Sequence, residues 1–209
     1  MTSSLDASSA LDLLDWKRRI FDLYRDIRAA SDATAAWTLW RAARDDLFRT
    51  HPQSPIPETE RSGLESVRYF DYDPEYRVVA EVRDAPPESY EIPTSGDETM
   101  RFTRIATCHF SLRGAERVLE MYWLDAYGGG IFLPFRDATS GKTTYGAGRY
   151  LLDTVKGSDL GTNDGRLILD FNFAYNPSCA YDPRWVCPLA PPPNRLEVPV
   201  KAGERTDSS

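Results

Sequence analysis

Past Gly63 the apolar residues of this chain stop recurring at helical spacing and begin to alternate, and no helical run returns after that point. This change of period constrains the fold more than any other feature. Ahead of it, Leu13, Trp16, Ile20, Leu23, Tyr24 and Ile27 predict a helix over about 11–30, with Lys17, Arg18, Asp22, Arg25, Asp26 and Arg28 on the solvated face. Ser31 and Asp32 break it and can cap a second helix over about 33–49, which stops before Pro52 because the residue preceding a proline avoids the helical region. Trp37 and Trp40, one turn apart, read as core packing, with a binding stripe as the less favoured alternative.

Beyond the switch, Tyr76, Val78, Ala80 and Val82 alternate with Arg77, Val79, Glu81 and Arg83, the pattern of a half-buried strand. DAPPESYEIPTSGDE reads as a connection holding one short strand at 90–92. Strands at 100–112 and 118–124 form a hairpin around LRGAE, and further strands fall at 143–150 and 166–173. Between these last two, GSDLGTNDGR reads as a mobile turn. Two helices followed by strands with no helix between them predict an α+β domain, its two N-terminal helices packed on a curved, mainly antiparallel sheet, a roll or partly open barrel. The domain spans 10–203, with a helical hairpin at 10–50 and a β-rich part at 64–200. Residues 1–9 and 204–209 read as disordered ends.

A hydrophobic content of 41% supplies a core, and a net charge of -7 excludes the basic face that nucleic acid or an anionic membrane demands. No apolar run approaches the roughly 20 residues of a membrane helix. MTSSLDASSALDLLD has neither the basic nor the apolar region of a targeting signal, so the expected location is cytoplasmic. The sequence is silent on cofactor and oligomeric state.

Candidate chemistry concentrates between Pro134 and Leu196, where glycine, proline, aromatics and hydrogen-bonding side chains are dense. On the strand at 143–150, Tyr145, Ala147 and Arg149 share a face; on that at 166–173, Leu167, Leu169, Phe171 and Phe173 lie opposite Asp170 and Asn172. An Arg149–Asp170 pair beside Tyr145 and Asn172 reads either as a polar cavity for a carboxylate, phosphate or amide or as a structural bridge, the latter favoured for Asp170. Arg136 precedes Asp137, which reads as the organiser of the DATSG turn. GGGIFLPF reads as a backbone bend. It lacks the lysine and Ser/Thr of a phosphate loop.

Cys179 and Cys187 flank a proline-bounded loop. Buried structural thiols lead the alternatives, ahead of a disulfide or redox pair, a metal site drawing on Cys108, His51 or His109, and a Cys179 nucleophile. His51, in the rigid HPQSPIP exit, is the better candidate base of the two histidines.

HPQSPI, YFDYDPEYRV, FLPFRDATSGKTTYGAGRYL and DFNFAYNPSCAYDPRWVCPLAPPPNRL resemble the pattern of the domain-of-unknown-function 1684 family of prokaryotic proteins, from the first helix to about Gly203. The resemblance implies a shared fold and site and brings no activity with it. Some members resemble exported or lipid-anchored proteins, which favours the disulfide reading. The expected function is binding, with or without transformation, of a small polar or anionic molecule between the TYGAGRY strand and the NPSCAY loop. Arg136, Tyr145, Arg149, Asp170, Asn172, Asn176 and Tyr181 would hold it, with Cys179 as nucleophile and His51 as base. The alternative is a protein-interaction module using the proline- and aromatic-rich loops.

Overall fold

The computed structural model describes residues 6–206. Asp6 caps α1 (Ala7–Ala29) by accepting from Ser9 N at 2.7 Å, and Asp32 caps α2 (Ala33–Thr50) by accepting from Thr34 N and Ala35 N. These carboxylates satisfy amide groups that a helix start leaves without partners. The helix faces bearing Leu23, Tyr24, Ile27, Trp37, Trp40, Leu47 and Phe48 are buried. Trp37 donates to Asn172 O at 3.0 Å, and Trp40 packs on Tyr69 and Phe173 at ring distances of 5.3 and 5.2 Å. The two tryptophans are therefore core residues. A single helical turn, α3 (Glu58–Arg61), completes the helical part.

Seven strands follow: β1 (Arg77–Pro93), β2 (Thr99–Leu112), β3 (Ala115–Leu124), β4 (Ile131–Phe135), β5 (Arg149–Asp153), β6 (Thr162–Asn163) and β7 (Arg166–Asp170). They form one sheet in the order β5-β4-β3-β2-β1-β7-β6, with every pairing antiparallel. Among the described residues no helical crossover exists to carry the chain to a parallel neighbour. The β2–β3 hairpin turns on Arg113 and Gly114, at φ 52° and 78°, the left-handed pair a two-residue hairpin needs. The sheet does not close into a barrel, yet Tyr150 and Tyr175 exchange backbone hydrogen bonds at 2.9 and 3.2 Å. That bridge brings the segment after β7 back alongside β5.

Four local expectations are corrected. The segment 84–93 is not a connection: β1 is continuous through it, and Ala85, Pro86 and Pro87 bulge out where the register shifts between Asp84 and Glu88. A bulge is where a strand tolerates prolines, which cannot donate to the ladder. The supposed mobile turn contains the β6–β7 hairpin, closed by Asp164 and Gly165. Residues 143–148 are not a strand, because their backbone is spent in turns, Gly141 N to Thr144 O at 2.9 Å and Gly148 N to Tyr145 O at 3.1 Å. Lastly, β7 ends at Asp170, whose side chain accepts from Asn172 N at 3.0 Å and turns Phe171–Phe173 into a 3-10 helix.

That turn splits the apolar set of the segment. Leu169 and Phe171 enter the sheet core with Cys108, Leu119, Leu133 and Phe135, whereas Phe173 enters the layer between helices and sheet with Trp40, Tyr122 and Tyr150. The disorder expected for the ends falls outside the described residues at 1–5 and 207–209. Within them the C-terminal segment is part of the core: Glu204 is 1% exposed, and its backbone N–H donates to Ala174 O at 2.8 Å.

Candidate functional site

The dense stretch after Pro134 supplies two different polar regions. The first is closed. Arg149 opens β5 and is 1% exposed. Its guanidinium donates to the backbone carbonyls of Ala202, Glu204 (3.1 Å) and Val200 (3.1 Å), lies 3.6 Å from Asp137 Oδ1, and stacks 5.0 Å over the Phe135 ring. Burial pulls its pKa down to about 10, against the pull of Asp137 and Glu204. Asp137 meanwhile accepts from Val200 N at 2.6 Å and from Thr139 Oγ1 at 2.8 Å, so it organises both its own turn and the C-terminal segment. Asp170 pairs with Arg77 at 3.2 Å rather than with Arg149, and burial raises its pKa despite Asn172 and Arg77. Asn172 donates to Asp73 O and Asp170 Oδ1 and accepts from Asp73 N, which uses its amide fully. Arg136 holds the 194–196 segment through its backbone, which bonds Asn194 O and Leu196 N at 2.8 Å. The expected cluster of Arg149, Asp170, Tyr145 and Asn172 therefore does not form. Strand alternation does not reach across the turns at 143–148 and 171–173.

The second region is open. Between α1, α2, the turn after β5 and the segment 175–187 lies a cavity of about 340 Å³. Its walls are largely apolar, with the aromatic residues Trp16, Tyr24, Trp40, Phe48, Tyr181 and Trp185 among them. Lys17 and Lys156 are exposed and also line it. Lys156 lies 3.7 Å from Asp153, whereas Lys17 has no carboxylate partner among the described residues. Arg44 also lines it but is committed to Glu204 and Tyr69, each at 2.9 Å, and these partners keep it charged against the cost of burial.

Asn176 and Tyr181, both expected site residues, line this cavity, as does Trp185. Asn176 is 5% exposed and donates to Glu204 Oε1 at 2.9 Å, but its Oδ1 accepts nothing. Tyr181 Oη and Trp185 Nε1 are likewise buried without partners. Orphaned buried polar atoms are uncommon in folded proteins, and three in residues that line one cavity are hydrogen-bonding capacity that the chain does not use itself. Tyr181 and Trp185 thus line a cavity. Lys17 escaped sequence reasoning because it sits among the charges of a solvated helix face. The aromatic periodicity of the helices was the only available signal for the others.

Beside the cavity sit the two cysteines, both free thiols, with Cys187 buried and lining it and Cys179 partly exposed. Tyr145 Oη lies 3.6 Å from Cys179 Sγ. Hydrogen bonding from Cys187, aided by Ser95 and Tyr145 and opposed by burial, lowers the Cys179 pKa to about 6, while Cys187 is raised. His51 does not join them. It is 4% exposed, accepts from Gln53 N at 3.0 Å through Nδ1, and places Nε2 3.2 Å from Asp15. With both ring nitrogens engaged it braces the exit from α2 against α1. His109 is far from any such role, bonded to Thr107 and Arg83 on the sheet. Among the described residues no group of three or more His, Cys, Asp or Glu could hold a metal, and no helix is long and apolar enough to cross a membrane.

Comparison with known proteins agrees with this architecture. The chain is similar to an uncharacterised protein of Haloarcula marismortui whose solution NMR structure is known: identity is 43%, the match covers 81% of this chain and 92% of that one, and the TM-score is 0.59. A search of curated proteins gave no match. The model of the family described as "Protein of unknown function (DUF1684)" matches residues 62–205, beginning after the three helices. The chain belongs to that family.

Proposed function

We propose that the protein binds a small amphipathic anion, an aromatic or aliphatic body carrying a carboxylate or a similar group, in the cavity between its helices and the 175–187 segment. Binding sites of this kind are concave and mostly apolar, with a few polar groups that fix orientation, and their volumes begin at about 300 Å³. The observation that carries the reading is the largely apolar cavity itself, lined by three residues that each hold a buried polar atom without a partner, Asn176 Oδ1, Tyr181 Oη and Trp185 Nε1. These atoms are covered in the free protein, so a bound ligand would turn the Tyr181 and Trp185 side chains to donate to its oxygen and the Asn176 amide to accept from its hydroxyl or amide. Lys17 supplies a cation without an internal partner. The aromatic walls suit a ring or chain and exclude a strongly hydrated ion such as phosphate alone. The closed region around Arg149 takes no part, since its donors are spent on the backbone.

Trp16, Trp40 and Trp185 line the cavity and report on its occupancy. Titration of the protein with phenylacetate, followed by intrinsic fluorescence, is expected to give a saturable change. Phenylacetamide, which has the same shape without the charge, should bind about tenfold more weakly. Lys17→Gln should remove most of that preference. Absence of saturation with either compound, or equal binding of the two, would contradict the proposal.

A further inference from the structure

The cavity differs from its inner wall to its rim, and the difference orients what it holds. The inner wall is built of buried side chains, Tyr24, Trp40, Phe48 and Tyr175 among them. Its polar groups already bond one another: Arg44 donates to Glu204 and Tyr69, and Trp40 Nε1 and Ser158 Oγ both bond Tyr24 Oη at 3.1 Å. Asn176 Oδ1, buried and unpaired, is an acceptor and disfavours an anion beside it. At the rim Leu13 and Val186 are exposed, and so are Lys17 on α1 and Lys156 after β5. A carboxylate at the rim keeps part of its water and gains ammonium neighbours, whereas one on the inner wall would lose its hydration with no free cation to replace it.

Resting on the cavity reading above, we infer that the ligand is a straight-chain fatty acid of about ten to twelve carbons, its tail directed inward and its carboxylate at the rim beside Lys17 and Lys156. The length follows from volume. A space of 340 Å³ holds about eleven groups of the size of a water or a methylene, at about 30 Å³ each. A benzyl body fills only part of it and forgoes wall contacts that a longer body gains. The shape follows from how firmly the walls are held. Ser95 pins the backbone of one wall: its Oγ donates to Trp185 O at 3.0 Å and accepts from Cys187 N at 3.1 Å, and its N–H donates to Cys187 O at 2.9 Å. On the helical side, His51 ties the exit from α2 to Asp15 of α1 at 3.2 Å. Between pinned walls a body of small cross-section enters more readily than a rigid fused ring. A polymethylene chain threads in, bends to fill the space, and lays its first methylenes along the lysine stems.

The full chain is titrated with hexanoate, octanoate, decanoate, dodecanoate and tetradecanoate, each below its micelle-forming concentration, and binding is followed by tryptophan fluorescence. Affinity should rise about tenfold for every two carbons up to about ten to twelve, and then level off because the cavity is full. Decanedioate, whose second carboxylate would reach the inner wall, should bind at least about a hundredfold more weakly than decanoate. Lys17→Gln and Lys156→Gln should each weaken every chain length by a common factor of up to about tenfold and leave the gain per two carbons unchanged. Cholate, a rigid fused-ring carboxylate, should bind more weakly than decanoate. Saturable binding of phenylacetate with no gain from hexanoate to decanoate would overturn the chain assignment and leave the cavity reading standing, whereas no saturation with any of these compounds would remove both. Equal binding of decanoate and decanedioate would overturn the orientation, and tighter binding of cholate would assign a rigid ring body instead.

Discussion

Arg149 and Asn176 both reach Glu204, one at its backbone carbonyl and the other at its carboxylate, and end in different states. Arg149 bonds the Glu204 carbonyl together with those of Val200 and Ala202, and its terminal nitrogens are spent. Asn176 bonds the Glu204 carboxylate and keeps its own oxygen unpaired at the edge of a cavity. Both are buried polar residues in the same glycine- and proline-rich part of the chain, and both are equally conspicuous in the sequence. What separates a brace from a candidate site here is unspent hydrogen-bonding capacity in a residue that lines a space, not polarity or burial. The brace fastens residues 198–206 to the sheet, so that Gly203, at φ 76°, passes with its Cα beside the 171–174 turn, where a Cβ would lie 2.6 Å from the carbonyls of Phe171 and Ala174.

If this contrast holds, substitutions in the closed region act on stability and those in the open region on binding. The largest effect is expected for Glu204→Ala, which leaves Arg44 buried without its carboxylate and Asn176 without its acceptor. A loss of about 3–5 kcal/mol in chemical denaturation is expected. A loss below about 1 kcal/mol would mean that the network is not a brace. Asn172→Ala should come next, at about 2–3 kcal/mol, because it strips partners from Asp73 and Asp170 at once.

These two residues also show what the sequence makes visible. The helix faces, the antiparallel order and the LRGAE hairpin follow from apolar period and turn chemistry alone, and the structure carries them. Asn172 stood out in the sequence beside Asp170, which it does bond, but Arg149 and Tyr145 do not join them, because the Asp170 side chain turns the strand into a helical turn one residue before Asn172. Glu204 was invisible: an acidic residue in the tail-like run AGERTDSS carries no local sign that its partner lies 160 positions away on α2. The cavity shares that difficulty. Trp16, Trp40, Tyr181 and Lys156 meet only because Tyr150 and Tyr175 draw the chain back to β5, a non-local pairing that no periodicity encodes.

Smaller effects sharpen the comparison on the open side. The folded-state pKa of Cys179 is depressed to about 6 from the 9.0 of an unperturbed thiol. Its contribution to stability is therefore fully present above the unfolded value and is lost as pH falls through the folded one. The stability of the wild type over Cys179→Ser should grow by about 1 kcal/mol between about pH 5 and pH 9, a figure discounted for the partial exposure of the thiol. A flat difference across that range would place an ordinary thiol there. Tyr181→Phe should change stability least and in the opposite sense. Removing a buried hydroxyl that has no partner is expected to raise stability by up to about 1 kcal/mol while weakening phenylacetate binding. A destabilised variant with unchanged binding would assign Tyr181 to the core instead.

The central distinction, one region that holds the fold and another that holds a ligand, is tested most directly by heteronuclear NMR of the isotope-labelled protein during titration with phenylacetate. The expected result is that the backbone amides of Asn176, Ser178 and Tyr181 and the indole N–H groups of Trp16 and Trp185 shift together and saturate, while those of Arg149, Asp170 and Asn172 stay in place. Shifts centred on Tyr145–Arg149 and Asp170–Asn172, with the indoles unmoved, would contradict it.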